Sequence, residues 1–192
     1  MVTRHFSFAC LHISYSMLIL VLMFGACSTK KTPIPQGWFL GGQPLASTHN
    51  EILPAGATLY LPEKFTLEAA TDCVVRLTQQ PSGETLVQLL TGTAVVQRND
   101  PQFAVALLAN DNLVRLTGTR LLLQSQVGTT RIYLIDGQVM VSHAQQKWEL
   151  SAKADNLFEM KAGTRAIKKI PAREIEKIFP EIVRTRLLMA IR

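Results

Sequence analysis

Residues Asn112–Ser142, NLVRLTGTRLLLQSQVGTTRIYLIDGQVMVS, alternate apolar and polar side chains between turn-forming glycines. The stretch reads as strand, tight turn, strand, loop, strand, hairpin turn, strand. Asp136-Gly137 stands between two apolar runs, and Asp-Gly is the strongest short-range signal for a two-residue hairpin. Such a turn sets Ile135 opposite Gln138, Tyr133 opposite Met140 and Arg131 opposite Ser142. Ile132, Leu134, Val139 and Val141 then share one face. A sheet with one apolar face must bury it against a second layer. No catalytic motif lies in the stretch.

The same pattern extends in both directions. From Ile52 onward, short apolar runs predict strands near Leu59–Leu61, Thr66–Ala69, Cys73–Thr78, Thr85–Leu90, Ala94–Arg98 and Phe103–Leu108, and later over Lys147–Leu150 and Leu157–Met160. Pro54-Ala55-Gly56, Pro81-Ser82-Gly83 and Asn99-Asp100-Pro101 punctuate them. This spacing predicts an all-β sandwich or barrel. A flattened short β-solenoid would space its strands in the same way.

Gly118-Thr119-Arg120 with alternating Leu121 and Leu123, a glycine turn and then IYLIDGQVMVS resembles the FecR domain of periplasmic iron-signalling regulators. Upstream, LLTGTAVVQRNDPQF (Leu89–Phe103) is similar to the other half of that domain, with its Gly-x-Ala and Pro-x-Phe segments. The resemblance covers roughly Thr85–Ser142. It implies a FecR-like two-layer β-sandwich with Gly118, Thr119, Asp136 and Gly137 as its structural turn motif. Full-length regulators of this kind join a cytoplasmic segment acting on a sigma factor, a membrane helix, the periplasmic domain and a further small domain that meets an outer-membrane receptor. Neither the first nor the last part is expected here. The expectation is therefore a FecR-like module on its own.

The N-terminus reads as an export signal. Arg4 is the sole charge in Met1–Ala26, and the strongly apolar Met17–Phe24 has the length of a signal core. Gly25-Ala26-Cys27 resembles the lipobox of bacterial lipoproteins, which implies cleavage before Cys27 and its acylation, palmitate included. Ser28 in the next position implies sorting to the outer membrane, facing the periplasm. Each buried CH₂ adds about 0.8 kcal/mol, so more than one chain anchors stably. A plain secretory signal or an uncleaved membrane helix are the alternatives. Residues 27–50 are rich in Pro, Gly, Ser and Thr and predict a flexible tether. Within it, Trp38-Phe39-Leu40 is expected either to dock on the domain or to bind a partner.

The β domain is expected over 51–163 and a basic amphipathic tail over 164–192. The formal charge of +6 arises wholly from Lys161 onward, where nine basic residues face three acidic ones. Such a tail suits an anionic partner or a membrane surface, or forms a solvated helix face. Ile175, Ile178, Phe179, Ile182 and Val183 fall on one helical stripe. Ile175, Ile178, Phe179, Ile182, Arg184 and Arg186 are candidate partner-binding residues. Pro180 predicts two short helices or one kinked at Phe179. The alternative is a helix that packs on the sheet.

Chemistry is sparse. His49 and His143 stand apart from any Cys or carboxylate at metal-ligand spacing. Phosphate-loop, nucleophile-elbow and zincin motifs do not occur. Cys73, alone once Cys27 is acylated, is expected to be a buried small apolar residue. No catalytic residue, metal or cofactor is expected beyond the lipid on Cys27. The partner expected is another cell-envelope protein, with the membrane engaged through the lipid, and not nucleic acid. The function expected is non-catalytic: a periplasmic interaction or scaffold lipoprotein, or else a sensory protein relaying envelope signals.

Overall fold

A computed structural model describes residues 37–45 and 50–178. It contains β1 (Phe39–Leu40), β2 (Gln43–Pro44), β3 (Glu51–Leu53), β4 (Thr58–Leu61), β5 (Phe65–Ala69), β6 (Cys73–Gln79), β7 (Thr85–Arg98), β8 (Val105–Ala109), β9 (Asn112–Gln126), β10 (Thr129–His143), β11 (Gln146–Ser151), β12 (Leu157–Lys161), β13 (Thr164–Lys168) and helix α1 (Ala172–Ile178). The fold is nearly all β, and the strands pair into one open thirteen-stranded sheet.

Three long strands organise it. β7, β9 and β10 each serve two wings of the sheet. The first wing runs β3, β6, the start of β7, β8, the start of β9, the end of β10 and β11. The second runs β2, β1, β4, β5, the end of β7, the end of β9, the start of β10, β12 and β13. In the second wing β7 and β9 pair directly, from Gly92 opposite Ser125 to Gln97 opposite Arg120. In the first wing β8 is wedged between them. Its pairing with β7 is parallel and every other pairing is antiparallel. A β-solenoid stacks its coils in parallel, so the solenoid alternative is not the architecture.

The two wings share one core because each long strand changes its inward parity where it bends. Val87 and Leu89 point inward before the bend of β7, and Ala94 and Val96 after it. β9 switches from Val114 and Leu116 to Leu121 and Leu123, and β10 from Ile132 and Leu134 to Val139 and Val141. An uninterrupted alternation would turn one half of each strand inside out. Bulges insert the odd residue: the register slips between Val74 and Val75 in the β6–β7 pair, and on both sides of Asp136 in the β9–β10 pair. A bulge also bends its strand, which is what carries each strand into the other wing.

Asp136-Gly137 is therefore not a hairpin turn. It is a bulge in the middle of β10, which runs on through Met140 and beyond. Gly118-Thr119 is likewise a bend inside β9. The facing pairs expected around Asp136 do not form: Tyr133 lies opposite Leu122 and Leu157, and Met140 opposite Arg115 and Glu149. The face assignment stands all the same, with Ile132, Leu134, Val139 and Val141 buried together. Among the described residues, the two-residue hairpins with positive φ at both turn residues lie elsewhere. Gly41-Gly42 joins β1 to β2, Asn110-Asp111 joins β8 to β9, and Ala162-Gly163 joins β12 to β13. All six residues have positive φ, as type I′ turns require.

The expected boundaries also move. Thr85–Leu90 and Ala94–Arg98 are one strand. Residues 38–45 are not tether: Trp38 is buried in the core between Phe65 and Phe103, at ring-centroid distances of 5.4 and 6.3 Å. Thr164–Lys168 is not helical tail but the last strand. A seven-residue helix follows it, and Phe179–Arg192 lies outside the described residues.

Candidate interaction surfaces

The residues that carry the family resemblance occupy the two corners where strands pass between wings. At one corner, Gly92 (φ +107°) packs so closely on β6 that a Cβ would meet the Asp72 carbonyl at 2.5 Å and Cys73 Sγ at 2.7 Å. Polar side chains seal this corner. Asn110 Nδ2 donates to the carbonyls of Gln126 and Thr129 at 2.8 and 2.9 Å, and Ser125 Oγ donates to the Leu90 carbonyl at 3.2 Å. Asn112, fully buried, donates to the carbonyls of Ala109 and Asn110 and to Thr130 Oγ1. These side chains satisfy backbone groups that the bent strands leave unpaired.

At the opposite corner, Thr119 Oγ1 donates to the Gln138 carbonyl at 2.6 Å and accepts from the Thr117 N–H at 3.0 Å. Arg98 caps the carbonyls of Asp100, Pro101 and Leu116, tying the β7–β8 loop to β9. Gly118, Thr119, Asp136 and Gly137 thus have structural work as bend residues, with Asp136 Oδ1 accepting from the Gly137 N–H at 2.9 Å.

The sheet ends in four edges. β2 is two residues long and contains Pro44, which cannot donate to an added strand. β13 carries Arg165 and Lys168, and β11 carries Lys147 and Glu149; charged edges of this kind discourage strand addition. β3 differs, because Ile52 on it is 73 % exposed. Among the described residues, it is the sheet edge with a large apolar side chain facing solvent.

The outer face of the second wing has its own small apolar cluster of Val95, Leu122 and Tyr133. Ile175 of α1 covers it, with Ile135, Leu157 and Ile170 alongside. Ile175 was a candidate for partner binding or for packing on the sheet; its side chain packs on the chain's own sheet. Asn156 holds the connection to the helix, donating to the Ile170 carbonyl and accepting from the Ile170 N–H at 2.9 and 2.8 Å. Ile178 ends the helix. Cys27, His49, Phe179, Ile182, Arg184 and Arg186 lie outside the described residues.

Two arginines on the long strands meet acids. Arg131 meets Glu159 at 2.7 Å and Arg115 meets Glu84 at 3.6 Å. Arg120 lies opposite Asp136. Cys73 is buried as expected, and its Sγ donates to the carbonyls of Thr71 and Thr93 at 3.1 and 3.2 Å. Burial pushes its thiol above the ordinary range, which disfavours the nucleophilic thiolate. Among the described residues, no three His, Cys, Asp or Glu side chains cluster as a metal site.

No family model and no curated protein sequence match the chain. Two crystal structures, each described as "a putative anti-sigma factor" from Parabacteroides distasonis, share its fold with a TM-score of 0.51. They are 13 % and 12 % identical to it, and the match covers 67 % of this chain and 59 % of theirs. The chain therefore spans about three-fifths of those proteins, and at this identity the likeness is one of fold.

Proposed function

We propose that this chain is a non-catalytic FecR-like interaction module: a two-layer β-sandwich, held at the bacterial outer membrane by acylated Cys27, that binds another envelope protein. The observation that carries the reading is the placement of Gly92, Gly118 and Gly137. The glycines behind the family resemblance sit at the bends on which the fold depends, two of them in contacts too close for a side chain. The site residues support binding rather than turnover, since the best-positioned polar side chains are engaged in backbone contacts at the corners. The exposed Ile52 edge is the surface offered to a partner.

A sensory or regulatory role is the second reading, and the fold shared with proteins described as anti-sigma factors favours it. Crosslinking of the lipidated chain in its native envelope, followed by affinity capture, tests both. Enrichment of one envelope protein over a Cys27→Ala control supports the module, and a transcript that changes on deletion of the chain supports regulation. A capture profile identical to the control overturns the interaction reading.

A further inference from the structure

We propose that the cleft between the β10–β11 and β12–β13 turns is a binding site for the carboxylate of a small organic anion, with Arg165 as its principal contact. The cleft has a volume of about 450 Å³, within the size range of small-ligand sites. His143, Gln145, Gln146, Trp148, Met160 and Arg165 line it. It opens where the edge of the first wing, β11, meets the β12–β13 end of the second.

The Arg165 guanidinium lies over the Trp148 ring, 5.0 Å from its centroid. Trp148 is held in turn by Phe158, 5.7 Å away between ring centroids. A contact to the ring through its π face consumes none of the guanidinium N–H groups, which remain a donor fork that a carboxylate can match with two parallel hydrogen bonds. No carboxylate of the described residues takes that place. The lining contains no Asp or Glu, and Glu159 on β12 is held by Arg131.

The remaining lining selects among anions. One arginine, two amide side chains and the apolar Met160 and Trp148 suit a singly charged carboxylate on an apolar body. A phosphate dianion would call for a second cation or a cluster of backbone N–H groups, and the cleft lining holds one arginine and no lysine. A free small carboxylate and the C-terminus of a peptide present the same chemistry.

Calorimetric titration of the full chain in detergent micelles with N-acetyl-leucine, its amide, and a leucine-terminated pentapeptide tests the site. The acid is expected to bind saturably at about millimolar concentration and the amide to show no binding. Arg165→Gln is expected to weaken the acid about tenfold or more, and Arg165→Lys to restore part of the loss, because a lysine returns the charge without the fork. Lys161→Gln removes a neighbouring cation that does not line the cleft and should leave binding unchanged. An unaltered melting temperature for Arg165→Gln separates loss of the contact from loss of the fold. Tighter binding of the pentapeptide assigns a chain terminus; equal affinity assigns a free small carboxylate. Equal binding of acid and amide, unchanged binding by Arg165→Gln, or no saturable binding of the acid overturns the proposal.

Discussion

Gly137 in β10 lies directly against Gly118 in β9: a Cβ on Gly137 would come within 2.5 Å of the Gly118 carbonyl oxygen. Both glycines have positive φ, +82° and +61°, yet a Cβ added to Gly118 would meet nothing within 4 Å. The two positions therefore separate backbone strain from steric contact. Gly118→Ala should cost about 1–2 kcal/mol, the left-handed penalty alone. Gly137→Ala adds overpacking of about 1–3 kcal/mol at a corner that cannot open without losing the β9–β10 ladder. Urea denaturation of both variants checks this. Equal destabilisation would mean that the corner relaxes around the added methyl.

Trp38 belongs to the core although twelve residues separate it from β3. Its ring contacts Phe65 and Phe103, and its carbonyl accepts from the Leu45 N–H at 2.8 Å, closing the β1–β2 hairpin. Trp38→Ala should destabilise the domain by about 3–5 kcal/mol. The same substitution at exposed Ile52 should change stability by less than about 0.5 kcal/mol. A melting temperature unmoved by Trp38→Ala would show that the segment contributes nothing to the core.

Cys73 and Tyr133 make the fold sensitive to alkali. Burial raises both groups, from 9.0 for the thiol and 10.0 for the phenol. A raised acid holds its proton longer folded than unfolded. Its stabilisation is therefore complete below the unfolded pKa and fades as pH climbs through the folded one. The urea midpoint should be flat up to about pH 9 and fall above it. Cys73→Ala should remove the earlier part of that fall. In the native state Cys73 should also resist alkylation at neutral pH and react once urea is added. A midpoint that rises above pH 9 would contradict the assignment.

Truncation before Pro171 removes Ile175 and uncovers Val95, Leu122 and Tyr133 on the outer face of the second wing. The core between the wings does not include Ile175. The truncated chain should therefore keep its β-sheet circular dichroism while binding more of a hydrophobic dye and aggregating sooner. Loss of the β signal itself would place the helix within the folding unit.

Much of this fold was legible in single residues. The alternation of Ile132 with Leu134 and of Val139 with Val141 marked a buried face. The odd interval between Leu134 and Val139 marked a place where the backbone steps out of register. A two-residue hairpin and a bulge satisfy that pattern equally: each requires positive φ at Gly137 and each returns the apolar residues to one face. Which of them forms depends on whether β9 continues alongside β10 past Arg120, and no local sequence records that. The hairpins that do form at Gly41-Gly42 and Asn110-Asp111 use residues that tolerate positive φ well, a signal that was present but outweighed by Asp136-Gly137. The candidate interaction residues were less legible still. Ile175 sits on a helical stripe that suits a partner and a sheet equally well, and proximity to Val95, Leu122 and Tyr133 decided between them.

Sequence alone determined the class of structure, because side-chain alternation and the need for positive φ are properties of neighbouring residues. It placed most of the strands and the buried thiol. Only the tertiary structure decided which strands are shared between wings, that β8 separates β7 from β9, that Trp38 fills the core, and that Arg165 meets Trp148 beside an acid-free cleft. Those are pairings between residues far apart in the chain. They are set by how all the apolar faces bury at once, which no single stretch of the sequence contains.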